Sequence, residues 1–191
     1  MVAFNQSVKY IDIIEVFGDG ALNHSIDAVA ASDNGDGSVM LTLDADHGLL
    51  AGSVVYIEGT TNYDGLRMIK AVPETDEISI IAPFVAETPG GTETVKVAIK
   101  SKRDYVFCGF RLHLGAAPTT SENLVITADS ALDDNFDLKL YDYDLAGTTD
   151  LIYAVDTNEN LPRKKDDLIR FAWSNTDGKD FGLEIFYAPL N

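Results

Sequence analysis

The sequence is poor in cysteine, tryptophan and histidine, with one, one and three among 191 residues. A single cysteine cannot close an internal disulfide, so the disulfide-stapled secreted class is excluded. Basic residues are also scarce: 14 Lys and Arg stand against 31 Asp and Glu, a formal net charge of −17. A chain this acidic repels phosphate backbones, and no nucleic-acid partner is expected. No apolar run approaches the ~18 residues a membrane helix requires. The densest run, Ile78 to Val85, is interrupted by Ser79 and Pro83. The first residues, Met1 to Ser7, lack the cationic start and apolar stretch of a signal peptide. The expectation is a soluble chain made in a cytoplasm, with no membrane partner.

What is present is a period of two. Val39, Leu41 and Leu43 alternate with smaller or polar residues, as do Val95, Val97 and Ile99. A longer ladder runs through Val106, Cys108, Phe110, Leu112 and Leu114. Alternation over short runs indicates strands with one buried and one wet face. Turn signals such as Asn34-Gly35-Asp36-Gly37, Asp64-Gly65 and Asp177-Gly178 separate the runs. Tyr10, Ile13, Ile14 and Phe17 fit two helical turns, but the β-branched content favours a strand. The protein is expected to be all-β.

Strands are expected near 38–43, 53–57, 66–71 and 77–82, enough for a small barrel-like module over residues 28–93. Six more are expected near 105–114, 123–128, 136–142, 151–155, 167–174 and 181–187. With 8–17 and 94–100 they make eight, the number of a jelly-roll-like β-sandwich over 94–191. Residues 1–27 are then either an N-terminal arm or a sandwich strand. In the second case the small module is an insertion into the sandwich. Charge shifts at the same place: residues 1–99 carry 4 basic and 15 acidic side chains, residues 100–191 carry 10 and 16.

Few residues offer chemistry. His24, His47 and His113 have no metal-binding spacing. Cys108 shares the parity of Phe110 and is expected in the core rather than as a nucleophile. Elbow, dinucleotide and phosphate-loop motifs are missing, so no enzyme is indicated and no catalytic residue is named. Ser32 to Gly37 resembles a calcium loop at its glycine, but Leu43 stands where the bidentate glutamate belongs. Of the denser acids from Asp129 to Asp144, Asp133, Asp134 and Asp137 are the candidates for Ca²⁺, the one cofactor considered; solvated surface is the competing reading. Tyr141 and Tyr143 fall on the parity opposite Leu138 and Leu140, so they either face a partner or pack on a second sheet.

The stretch from His47-Gly48-Leu49 through Gly52, Val55-Tyr56-Ile57, Gly59 and Asn62-Tyr63-Asp64-Gly65 to Met68 and Phe84 resembles a small β module of tailed-bacteriophage virion structural proteins. That module recurs in head-associated, tail and fibre chains. Residues 116–124, 129–132, 137–141 and 174–178 also look like a phage structural sandwich. The resemblance implies a turn framework of Gly48, Gly52, Gly59, Asp64 and Gly65, with His47 locking a turn, and it implies no catalytic site. The expected function is that of a non-enzymatic virion protein, a capsid-associated decoration (cement) protein contacting the major capsid protein and further copies of itself. A tail or fibre component, or a carbohydrate- or cell-surface-binding sandwich, are the alternatives. Phe4, Tyr10, Ile14 and Phe17, on an apolar N-terminal segment, and Tyr141 and Tyr143 are the candidate interface residues.

Overall fold

The computed structural model describes residues 11–155 and 161–190. In chain order the strands are β1 (Asp12–Gly18), β2 (Asn23–Ser25), β3 (Ser32–Asp33), β4 (Ser38–Thr42), β5 (Val54–Glu58), β6 (Gly65–Ala71) and β7 (Glu77–Ile81). They continue as β8 (Thr94–Lys100), β9 (Tyr105–Leu114), β10 (Asn123–Asp129), β11 (Leu138–Asp144), β12 (Asp150–Ala154), β13 (Leu161–Arg163), β14 (Leu168–Ala172) and β15 (Phe181–Pro189). One short 3-10 turn, Asp134–Phe136, is the only helical element among the described residues. The protein is all-β, as the alternation requires.

Pairing is antiparallel throughout and forms two sheets. One runs β1-β15-β9-β12, with β13 also on β9; the other contains β11-β10-β14-β8. When β1, β8, β9, β10, β11, β12, β14 and β15 are counted from one to eight, the orders are 1-8-3-6 and 5-4-7-2. Strands joined as 1-8, 2-7, 3-6 and 4-5 are those of one long hairpin rolled into two sheets, a jelly roll. β1 is therefore its first strand. Its pairing with β15 runs from Asp12↔Tyr187 to Gly18↔Phe181, and Ile14 and Val16 point into the core.

Between β1 and β8 the chain makes β2 to β7. Sheet order β5-β6-β7-β4-β3 continues directly from β8, because Tyr56, Ile57 and Glu58 pair with Lys96, Val95 and Thr94. The expected barrel does not close. β8 occupies the outer edge of β5, so β5 is not free to meet β3 or β4. One hydrophobic core also spans both parts, from Val39, Leu41, Ile57 and Ile80 to Phe110, Phe171 and Leu183. A loop of the insert covers the end of β1: Leu50 N–H donates to Phe17 O (2.9 Å), and Phe17 N–H donates to Ser53 Oγ (2.9 Å).

Two bulges change which side chains face inward. Between Phe186 and Tyr187 the register of β15 on β9 slips, so that Gly109 pairs with Phe186 and Phe107 with Tyr187. Cys108 is left over. Phe107 and Phe110 both enter the core, whereas Cys108 is only half-buried and does not share their face. The second bulge lies on β11, where Ile126 pairs with Tyr141 and Thr127 with Lys139. Skipping Leu140 reverses the expected parity beyond it.

Candidate interaction surfaces

The turn framework forms first. His47 is fully buried just after β4; its Nδ1 accepts the Leu49 N–H (2.9 Å) and its Nε2 donates to Glu77 O (3.2 Å). Those partners fix the neutral Nε2-protonated tautomer. Burial pushes its pKa below the ordinary histidine value. Gly48 has φ +61°, and a Cβ there would stand 2.3 Å from both Asp19 Oδ1 and Gly20 N. A side chain is excluded because the β1–β2 loop crosses at this point. Gly52, Gly59 and Gly65 also have positive φ. Asp64 accepts from Thr60 Oγ1 (2.8 Å), whose oxygen in turn accepts the Tyr63 N–H (3.0 Å). These residues hold loops.

Phe4 and Tyr10 lie outside the described residues. Ile14 is 4% exposed and packs in the protein's own core, so it is not a partner contact. Phe17 is half-buried on the outer face of the first sheet. Tyr141 turns inward across the bulge, to ring distances of 4.8 Å from Tyr153 and 5.4 Å from Phe110 on the facing sheet. Tyr143 stacks on Tyr141 at 6.2 Å and remains partly exposed. Second-sheet packing thus accounts for Tyr141, and Tyr143 is 42% exposed.

The acidic loop is braced from within. Asp133 accepts the Asn135 N–H (2.9 Å) and Asp137 accepts the Ser130 N–H (2.8 Å). Of Asp134 only the backbone, in the 3-10 turn, is described. Among the described residues no three His, Cys, Asp or Glu side chains converge as a metal would need. Elsewhere too the carboxylates clamp turns. Asp177 binds Thr119 and Thr120, and their N–H and hydroxyl groups hold its pKa far below the usual carboxylate range. Glu93 accepts the Gly90 and Thr92 N–H groups, which also lowers its pKa.

A further ordered surface was not singled out in the sequence. It is the outer face of the first sheet, where the register sets three rows of four residues. One row is Phe17, Gly182, His113 and Asp150; the next is Glu15, Glu184, Arg111 and Ile152; the third is Ile13, Phe186, Gly109 and Ala154. Ile152 is 71% and Ile13 54% exposed. Four of the polar members are joined across strands: Arg111 Nε meets Glu184 Oε2 at 2.8 Å, and His113 Nδ1 meets Asp150 Oδ1 at 2.7 Å. The Arg111 guanidinium also lies over the Phe186 ring at 5.0 Å. Gly182 leaves a shallow depression of about 290 Å³ between Phe17 and His113. The sequence carried a signal in the apolar residues on the wet parity of β1 and β12, readable only once their neighbours were known.

Partly apolar, and with the Arg111–Glu184 ion pair within it, this face suits contact with another protein surface. Comparison brings no relative to bear: no family profile matches the chain, and no curated protein or solved structure matches it significantly.

Proposed function

We propose that this chain is a non-enzymatic virion structural protein of a tailed bacteriophage, a capsid-associated decoration protein that acts through subunit contacts. One observation carries the reading: the outer face of the first sheet offers Ile13, Phe17, Phe186 and Ile152 around the Arg111–Glu184 and His113–Asp150 pairs. The Arg111–Glu184 ion pair needs no rearrangement when a partner covers it, and the apolar residues around it gain from losing water. The phage-like pattern from His47 to Gly65 supports the same reading, since His47 and Gly48 act as the lock that pattern requires. Jelly rolls also serve in lectins, so the fold by itself assigns no role. With Tyr141 packed inward, the alternative carbohydrate surface keeps one exposed tyrosine, Tyr143, of the two it would use.

Co-sedimentation with purified empty capsids tests this. The full chain is expected to pellet with capsids whether or not EDTA is present, and Ile13→Glu combined with Ile152→Glu is expected to stay in the supernatant. Glycan-array binding abolished by EDTA, with no capsid binding, would overturn it in favour of the lectin reading.

A further inference from the structure

On the outer face of the second sheet, Asp129, Leu168 and Lys100 stand in register across β10, β14 and β8. Neighbouring strands lie ~5 Å apart, so the two ends of this row are about 10 Å from each other. Two unlike features grow from those ends.

Beyond Asp129 rises a knob, residues 130–138. Leu132 is 85%, Phe136 62% and Leu138 55% exposed, an unusual concentration of apolar surface for one short loop. Asp133, Asp134 and Asp137 alternate with them along the chain. The knob is pre-shaped: besides the Asp133 and Asp137 bonds, Leu132 N–H donates to Ser130 Oγ (3.2 Å) and Ala131 N–H to Asp167 Oδ1 (3.1 Å). Little ordering would remain to be done on binding.

Beyond Lys100 opens a cleft of about 690 Å³ between insert and jelly roll. Arg67, Lys100, Lys102 and Arg103 line it, four of the chain's 14 cations in one place. Its walls include Tyr56, Leu66 and Tyr187. Asp12, Asp64 and Asp166 also border it, leaving one net positive charge on a protein of −17 overall. Arg67 is fixed by Tyr63 O (3.0 Å) and Asp64 O (3.1 Å), and Lys100 lies over the Tyr56 ring at 5.5 Å. Such a cleft fits an acidic segment with apolar side chains.

We infer that the chain forms a two-fold dimer in which the acidic knob of each copy seats in the basic cleft of the other. This deepens the structural reading above, naming a second copy as one of the subunits contacted. Charge complementarity selects the occupant. Reciprocity follows from placement, because knob and cleft share one face and adjoin through Asp166 and Asp167, so one two-fold axis can satisfy both contacts and close the assembly. Leu132 and Phe136 are the anchors, and Lys102 and Arg103 set charge and orientation.

Sedimentation equilibrium of the full chain tests the dimer. Expected is a dimer at about 50 mM salt that weakens at least tenfold by about 500 mM, as screening removes the charge attraction. Lys102→Glu with Arg103→Glu, and separately Leu132→Ser with Phe136→Ser, should each weaken association ~30-fold. All four residues are exposed, so the urea midpoint should not move, and two independent variant pairs guard against a folding artefact. A monomer at ~100 μM in low salt, or a dimer indifferent to both pairs, would overturn the inference. A monomer that still pellets with capsids removes the dimer but not the structural reading; a dimer that ignores capsids does the reverse.

Discussion

The jelly roll and the insert share a sheet and a core yet are stabilised differently. Phe107, Phe110, Phe171, Trp173 and Phe181 fill the jelly roll, with Tyr141 and Tyr153 closing one edge. The insert relies mainly on aliphatic residues such as Val39, Leu41, Ile57, Ile69, Ile78 and Ile80, with Tyr56 and Tyr63 as buried tyrosines. Its strands are short and its loops long, so side chains fix the loops: His47 at residues 47–49, Glu87 on Thr61 and Asn62, Tyr63 on Val85. A small module without a closed barrel depends on backbone locks where a larger one depends on ring packing.

Substitutions can break or sharpen this contrast. Phe110→Ala removes a fully buried ring touching Tyr141, Tyr153 and Phe171, and should cost about 3–5 kcal/mol by urea denaturation. Gly48→Ala should cost about 2–4 kcal/mol, because its Cβ meets the backbone of the crossing loop at positive φ. At Gly65, φ is +107° but nothing stands within 4 Å, so Gly65→Ala should cost only about 1–2 kcal/mol. Equal losses at the two glycines would show that the crossing at Gly48 is not a lock.

Acid should reveal the lock next. His24 and His47 lie with rings 6.0 Å apart, and burial lowers both pKa values below that of the unfolded chain, about 6.5. The unfolded state therefore binds protons first. Stability is full above about pH 6.5 and falls as pH drops toward the lowered folded values. Asp44 near His24, and Asp19, Asp46 and Asp76 near His47, moderate the fall by favouring the charged rings. Comparing the melting temperature at about pH 7.5 and pH 5.5 measures it, and His47→Gln should reduce the difference. The smallest effect is expected at Lys139→Ala: its pair with Asp142 is solvent-exposed, and the urea midpoint should stay where it was.

Most strands were legible because a half-buried strand must alternate. The ranges expected at 94–100 and 105–114 are β8 and β9 as observed. β2, β3 and β13 escaped because two or three residues are too few to show a period. At Cys108 the core expectation failed for another reason, a bulge that adds one residue and reverses the parity beyond it, and at Tyr141 a second bulge chose between the two readings the sequence left open. Of the surfaces, Phe17 was named, but its neighbours Ile152 and Arg111 lie nearly a hundred or more residues away in the chain. Ile14, named beside it, differs by the single inward step that a strand takes.

By itself the sequence determined an acidic all-β protein of short strands and glycine turns, since local sterics and alternation suffice for that. Tertiary structure decided that β8 would pair with β5 and leave the barrel open. It also made β1 the first strand of a jelly roll, and it placed an acidic knob beside a basic cleft. Those outcomes rest on pairing between distant segments, where hydrogen-bond register and core shape choose among partners the local pattern treats alike.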